Sequence, residues 1–92
     1  MYTNGKKLFS KGSELYDKGE YEKAFTHFNK ALELFRAEKD NQGQANALLE
    51  MGNISGVLKD FERAKQYYEG SLILYQRTQD LLGEGYAPPD WH

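Results

Sequence analysis

Ninety-two residues hold one small domain, and chains this short bury only about 60–65% of their unfolded surface, so any uncovered apolar face matters. The absence of cysteine removes disulfides, thiolate metal sites and cysteine nucleophiles together, and it fits a reducing compartment. Twelve Lys and Arg against fourteen Asp and Glu give a net charge of −2, and the mean hydropathy is −0.82 with no long apolar run. These values leave no basic field for nucleic acid or an anionic membrane, and neither a membrane span nor a signal peptide is expected.

Taken in chain order, the apolar spacing predicts four helices. The first, α1, is expected over about 4–18, ending at Lys18-Gly19, where glycine can take the positive φ that stops a helix. Next comes α2, over about 21–39. Its stripe of Tyr21, Ala24, Phe25, Phe28, Ala31, Leu32 and Phe35 follows a 3.6-residue period. Asp40 then supplies an N-cap for α3, over about 41–59, and Asp60 does the same for α4, over about 61–79. A second stripe of Phe61, Ala64, Tyr68, Ser71, Leu72 and Tyr75 lies on α4. Asp80 resembles another cap, opening a short helical stub over about 81–87 before Pro88-Pro89 stops it.

The two stripes are related by a constant shift of 40: 61 − 21, 64 − 24, 68 − 28 and 72 − 32 all give it. Leu8 and Leu48, Gly12 and Gly52, Asp40 and Asp80, and Gly43 and Gly83 obey the same shift. One unit is therefore present twice, over about 4–39 and 41–79, with a truncated third copy or tail over 80–92. An all-α architecture of two antiparallel helical hairpins in a single domain follows.

Within the first copy, Gly12, Tyr21, Ala24, Phe28 and Ala31 fall at spacings of 9, 3, 4 and 3. The second copy reads Gly52, Phe61, Ala64, Tyr68 and Ser71 at the same spacings, with Ser for Ala in the last place. This pattern resembles the tetratricopeptide repeat, and the 40-residue period with Met51-Gly52-Asn53 is similar to the repeats of kinesin light chains and G-protein-signalling modulators. The usual proline after the second helix of a repeat is replaced by Asp40-Asn41-Gln42-Gly43. The small residues are gaps into which the aromatic rings fit, as close helix packing requires. Gly52 and Gly56 read accordingly as a local close approach to α4 rather than a dimerising GxxxG motif.

The two ends of the array differ. Lys7, Lys11, Glu14 and Lys18 make one face of α1 polar where α3 has Ala47, Met51, Ile54 and Leu58, which suits the first element of a solenoid. At the other end, α4 carries Tyr67, Gly70, Ile73 and Leu74 where α2 carries His27, Lys30, Glu33 and Leu34. Its cover is expected from one of three sources: the stub with Trp91 folding back, a second copy of the chain, or further repeats of a longer array. Self-association is favoured among these, through Tyr67, Gly70, Ile73, Leu74, Leu81, Leu82 and Trp91.

No enzyme is legible. His27 and His92 stand 65 positions apart, and His27 reads as an ordinary helix residue. Asp90-Trp91-His92 supplies two ligands at most, Asp40-Asn41-Gln42-Gly43 is too short for a calcium loop, and Gly5-Lys6-Lys7 lacks the spacing of a phosphate loop. No catalytic residue, metal or cofactor is expected, and Lys6, Lys7 and Lys11 read as a solvated cap face. Asn53-Ile54-Ser55 matches a glycosylation sequon inside a helix and reads as chance.

The resemblance implies that α1 and α3 line a concave groove for a peptide or helix of a protein partner. Its positions are Lys6, Phe9, Ser13 and Tyr16, then Asn46, Leu49, Glu50, Asn53 and Val57. Phe9, Ser13 and Tyr16 share one helix stripe, and the asparagine amides offer both donor and acceptor to an extended backbone. The C-terminal-carboxylate clamp of some family members needs Lys where Phe9 stands and Asn where Ser13 stands, so that subtype is not expected. A non-catalytic, cytoplasmic interaction module is the reading, with a self-assembly unit or a piece of a larger regulator as alternatives.

Overall fold

A computed structural model describes residues 3–82, with side chains through residue 78. Four helices run in order: α1 Asn4–Asp17, α2 Tyr21–Ala37, α3 Asn41–Val57 and α4 Phe61–Leu82. Each packs on the next, and α1 also touches α3, so two antiparallel hairpins stack side by side.

The three turns are built alike. The ends of α1, α2 and α3 are each followed by a residue in the left-handed region: Gly19 (φ 78), Lys39 (φ 56) and Lys59 (φ 66). After each of these residues the following N–H reaches back to a carbonyl in the last helical turn: Glu20 to Leu15 at 2.9 Å, Asp40 to Phe35 at 2.8 Å, and Asp60 to Ser55 at 2.8 Å. These pairs satisfy carbonyls that the helix end leaves open. The following helix is then capped. The Gly43 N–H donates to Asp40 Oδ1 at 2.9 Å and the Arg63 N–H to Asp60 Oδ1 at 3.4 Å, as the sequence predicts. Glu20 makes no such cap; its carboxylate meets Lys23 instead.

A fourth turn does not form at residue 80. The expected cap at Asp80 and helix stub from 81 are overturned: α4 continues to Leu82, so Asp80, Leu81 and Leu82 are helical. Gln79 enters no left-handed turn, and without that turn the following aspartate has no helix start to cap. Trp91 and the remainder of the expected stub lie outside the described residues.

The core runs along the seam of the hairpins. Leu15, Ala24, Phe28, Ala31, Leu32, Phe35, Ala47, Met51 and Ile54 form one buried cluster. Phe28 fits against Gly12, where a Cβ would stand 2.9 Å from its ring, and Phe35 fills the space over Gly43. Ser71 takes the place of Ala31 in the second hairpin, and its buried hydroxyl donates to the Ala45 carbonyl at 2.9 Å. That bond removes the desolvation cost that the extra oxygen introduces. The polar face of α1 is exposed as expected at Lys7, Lys11, Glu14 and Lys18, and Ala47, Met51 and Ile54 of α3 are buried. Leu58 departs from that set: it caps α3 and is 51% exposed.

Candidate functional site

The first turns of α1 and α3 enclose a cavity of about 260 Å³ lined by Lys6, Phe9, Phe35, Asp40, Gly43 and Asn46, among others. Three of the expected groove residues, Lys6, Phe9 and Asn46, therefore meet in one place. Phe9 is half-buried and serves the core as well. Its ring lies edge-on to Phe28 at 5.1 Å and tilted to Phe35 at 6.4 Å, so only part of it is available to a ligand. Tyr16 packs edge-on to Tyr21 at 5.4 Å. Ser13 is half-buried between them along the helix, and Leu49 and Val57 are exposed at 36% and 45%.

The asparagines are held rather than free. Asn53 Nδ2 donates to Glu50 Oε1 at 2.9 Å, and the Tyr68 hydroxyl donates to Asn53 Oδ1 at 2.7 Å. The Tyr75 hydroxyl donates to Asn46 Oδ1. Two tyrosines of α4 thus reach the groove asparagines of α3, and the sequence reading missed them as site residues. A signal was present: Tyr68 and Tyr75 are seven apart, as are Asn46 and Asn53, and the 40-residue shift puts them where α2 has Phe28 and Phe35. The added hydroxyls needed partners, and residues of matching spacing on the adjacent helix supply them.

Glu50 is the charged member of this network. Partial burial pushes the Tyr16 hydroxyl above its ordinary 10.0, and Glu50, Tyr21, Tyr68 and Asp17 push the same way. Burial also raises Tyr75, a contact with Ser71 offsets part of the rise, and Glu50 adds to it. Both phenols therefore stay protonated at neutral pH and remain donors.

The open face of α4 lies elsewhere than expected. Tyr67 packs on Phe25 with ring centroids 5.9 Å apart. Gly70 faces Leu48, and Leu74 is half-buried; of the four residues expected to be uncovered, only Ile73, at 51%, is exposed. The larger opening is found by comparing hairpins. Leu32 is 4% exposed and Phe28 fully buried beneath α3, whereas their counterparts Leu72 and Tyr68 are 57% and 40% exposed, and Phe61 is 68% exposed. Counting from the repeat identifies Leu72 and Tyr68, because Leu32 and Phe28 on α2 are buried, whereas Phe61 stands where α2 has the half-buried Tyr21. Leu81 and Leu82 belong to α4, but their side chains, like Trp91, lie outside the described residues.

His27 is half-buried, with Nδ1 donating to the Lys23 carbonyl at 2.9 Å, and His92 lies outside the described residues. Among the described residues no group of three His, Asp or Glu is placed to hold a metal, and no helix is long and apolar enough to cross a membrane.

No curated protein and no solved structure matches the chain. A family model described as tetratricopeptide repeat matches residues 10–77, which span both hairpins from α1 to near the end of α4. With two stacked antiparallel hairpins, small residues beneath aromatic rings and more than half of the sequence matched, the chain belongs to the tetratricopeptide repeat family.

Proposed function

We propose that the chain is a non-catalytic interaction module whose α1/α3 groove receives a peptide segment or a helix of a partner protein. Tetratricopeptide repeats are in general protein–protein interaction modules, which is the coarse basis for the reading. The observation that carries the finer one is the cavity where Lys6, Phe9 and Asn46 converge, continued along α3 by the exposed Leu49 and Val57. It joins a cation, an aromatic edge, an anchored amide and an apolar rail, a mixture suited to gripping a segment by its backbone and one or two side chains. The test is a double variant, Leu49→Ser with Val57→Ser. Both side chains are at least a third exposed, so thermal stability should stay within a few degrees while affinity for a captured partner falls about tenfold or more. Unchanged affinity would exclude the groove as the docking site.

A second reading is favoured by one specific observation, the exposure of Phe61, Leu72 and Ile73 along α4. In this reading the chain pairs with a second copy of itself through that helix. Sedimentation at micromolar concentration decides it: a clean monomer removes this reading, and a dimer that dissociates on Leu72→Glu supports it.

A further inference from the structure

We infer that the groove selects segments carrying a basic side chain, and that Glu50 is the residue that receives it; the inference rests on the groove reading above. Glu50 sits midway along the groove face of α3, one turn from both Asn46 and Asn53, and is half-buried. Its carboxylate is oriented, because Asn53 Nδ2 holds Oε1 at 2.9 Å and Asn53 is itself fixed by the Tyr68 hydroxyl at 2.7 Å. An ionised carboxylate accepts about four hydrogen bonds, so one amide leaves most of that capacity unused.

No cation of the described chain answers it. The ion pairs among the described residues are Lys11–Glu14, Lys23–Glu20 and Arg63–Asp60, all on exposed helix surface three residues apart. Lys6 is the groove's cation, and it lines the cavity at the first turn of α3 without reaching Glu50. Asp17 at the end of α1 adds negative charge on the Tyr16 side; the hydroxyls of Tyr16 and Tyr75, raised first by burial, are raised further by Glu50, which places its carboxylate near both. A part-buried, oriented and unneutralised carboxylate beside tyrosine rings is a receptor for guanidinium or ammonium. Coulomb attraction is strengthened there by the reduced dielectric, and ring faces attract a cation in addition. Lys6, at the other end of the face, sets the direction of the segment: the basic residue lies at Glu50, and any carboxylate lies toward the start of α1.

The test uses the full chain and a phage-displayed library of random dodecapeptides. The native chain should enrich peptides with Arg or Lys at a fixed place. Glu50→Gln keeps the Oε1 acceptor for Asn53 and removes the charge. It should abolish that enrichment, weaken the best peptide about tenfold, and leave the melting temperature unchanged. Glu50→Lys should turn the preference toward acidic peptides, and 0.5 M salt should weaken native binding while sparing Glu50→Gln. Peptides that lose affinity on Leu49→Ser with Val57→Ser, yet lack a basic residue or ignore Glu50→Gln, would overturn this inference and leave the groove intact. Peptides indifferent to the double serine variant, or no selected peptide at all, would overturn the groove reading and this inference with it.

Discussion

Alanine at Gly12 and alanine at Gly52 pose the same local problem with different surroundings. A Cβ at Gly12 would stand 2.9 Å from the Phe28 ring, and one at Gly52 would stand 2.8 Å from the Tyr68 ring. Both substitutions gain about 1 kcal/mol of helix propensity. Phe28 has no space to retreat into, since it is fully buried and Phe9 lies edge-on at 5.1 Å. Overpacking a closed site costs about 1–3 kcal/mol, so Gly12→Ala should lose up to about 2 kcal/mol net, or up to roughly 16 °C in melting temperature. Tyr68 is 40% exposed and can swing outward at the cost of one partly solvated hydrogen bond to Asn53. Gly52→Ala should therefore fall within about 0.5 kcal/mol of the native chain. Urea melts followed by circular dichroism, run at two protein concentrations, measure both. Equal losses at the two positions would refute the reasoning, because they would mean that the α4 face is enclosed in solution.

The remaining predictions concern the turns and the tyrosines. Lys59 at φ 66 should be stabilised by about 0.5–1 kcal/mol on mutation to glycine, and Gly19→Ala, at φ 78, should lose about 1 kcal/mol, both read from thermal melts. Asp40→Ala removes the cap on the Gly43 N–H and should cost about 1 kcal/mol, measured in the same way, while Asp40→Asn should retain most of it. Tyr16 and Tyr75 ionise above the ordinary 10.0 in the folded chain, so above that pH the unfolded chain releases protons that the folded one keeps. Their contribution is complete below pH 10 and is lost as pH rises through 10 toward the folded values; Tyr16→Phe with Tyr75→Phe should flatten that fall in stability.

Local rules made most of the fold legible. The 3.6-residue stripes, Gly19, Asp40 and Asp60 locate four helices and three turns, because each acts through its own neighbours in the chain. The same rules failed at Asp80, where an aspartate alone does not make a turn without the left-handed residue before it. Lys39 and Lys59 show why that residue is hard to read: lysine favours the right-handed region, and packing of the hairpins imposes the other. At the site, the groove positions on α1 and α3 came from the family resemblance, helix spacing only placing Phe9, Ser13 and Tyr16 on one stripe, and Lys6, Phe9 and Asn46 do converge. The engagement of the asparagines was hidden, since it depends on how α4 turns against α3. The same rotation decides that Tyr67 points inward while Leu72 points out.

The replacement of Phe28 and Phe35 by Tyr68 and Tyr75 alters what contact with the last helix would cost. Each phenol donates its proton to an asparagine of its own hairpin, so an arriving surface need supply no acceptor for it. Water leaving those rings is shed mainly from carbon, and the donated hydrogen bonds are kept. Cover and exposure of these two positions therefore differ chiefly by a hydrophobic term. Such a surface can be occupied and vacated repeatedly while the hydrogen bonds beneath it stay the same.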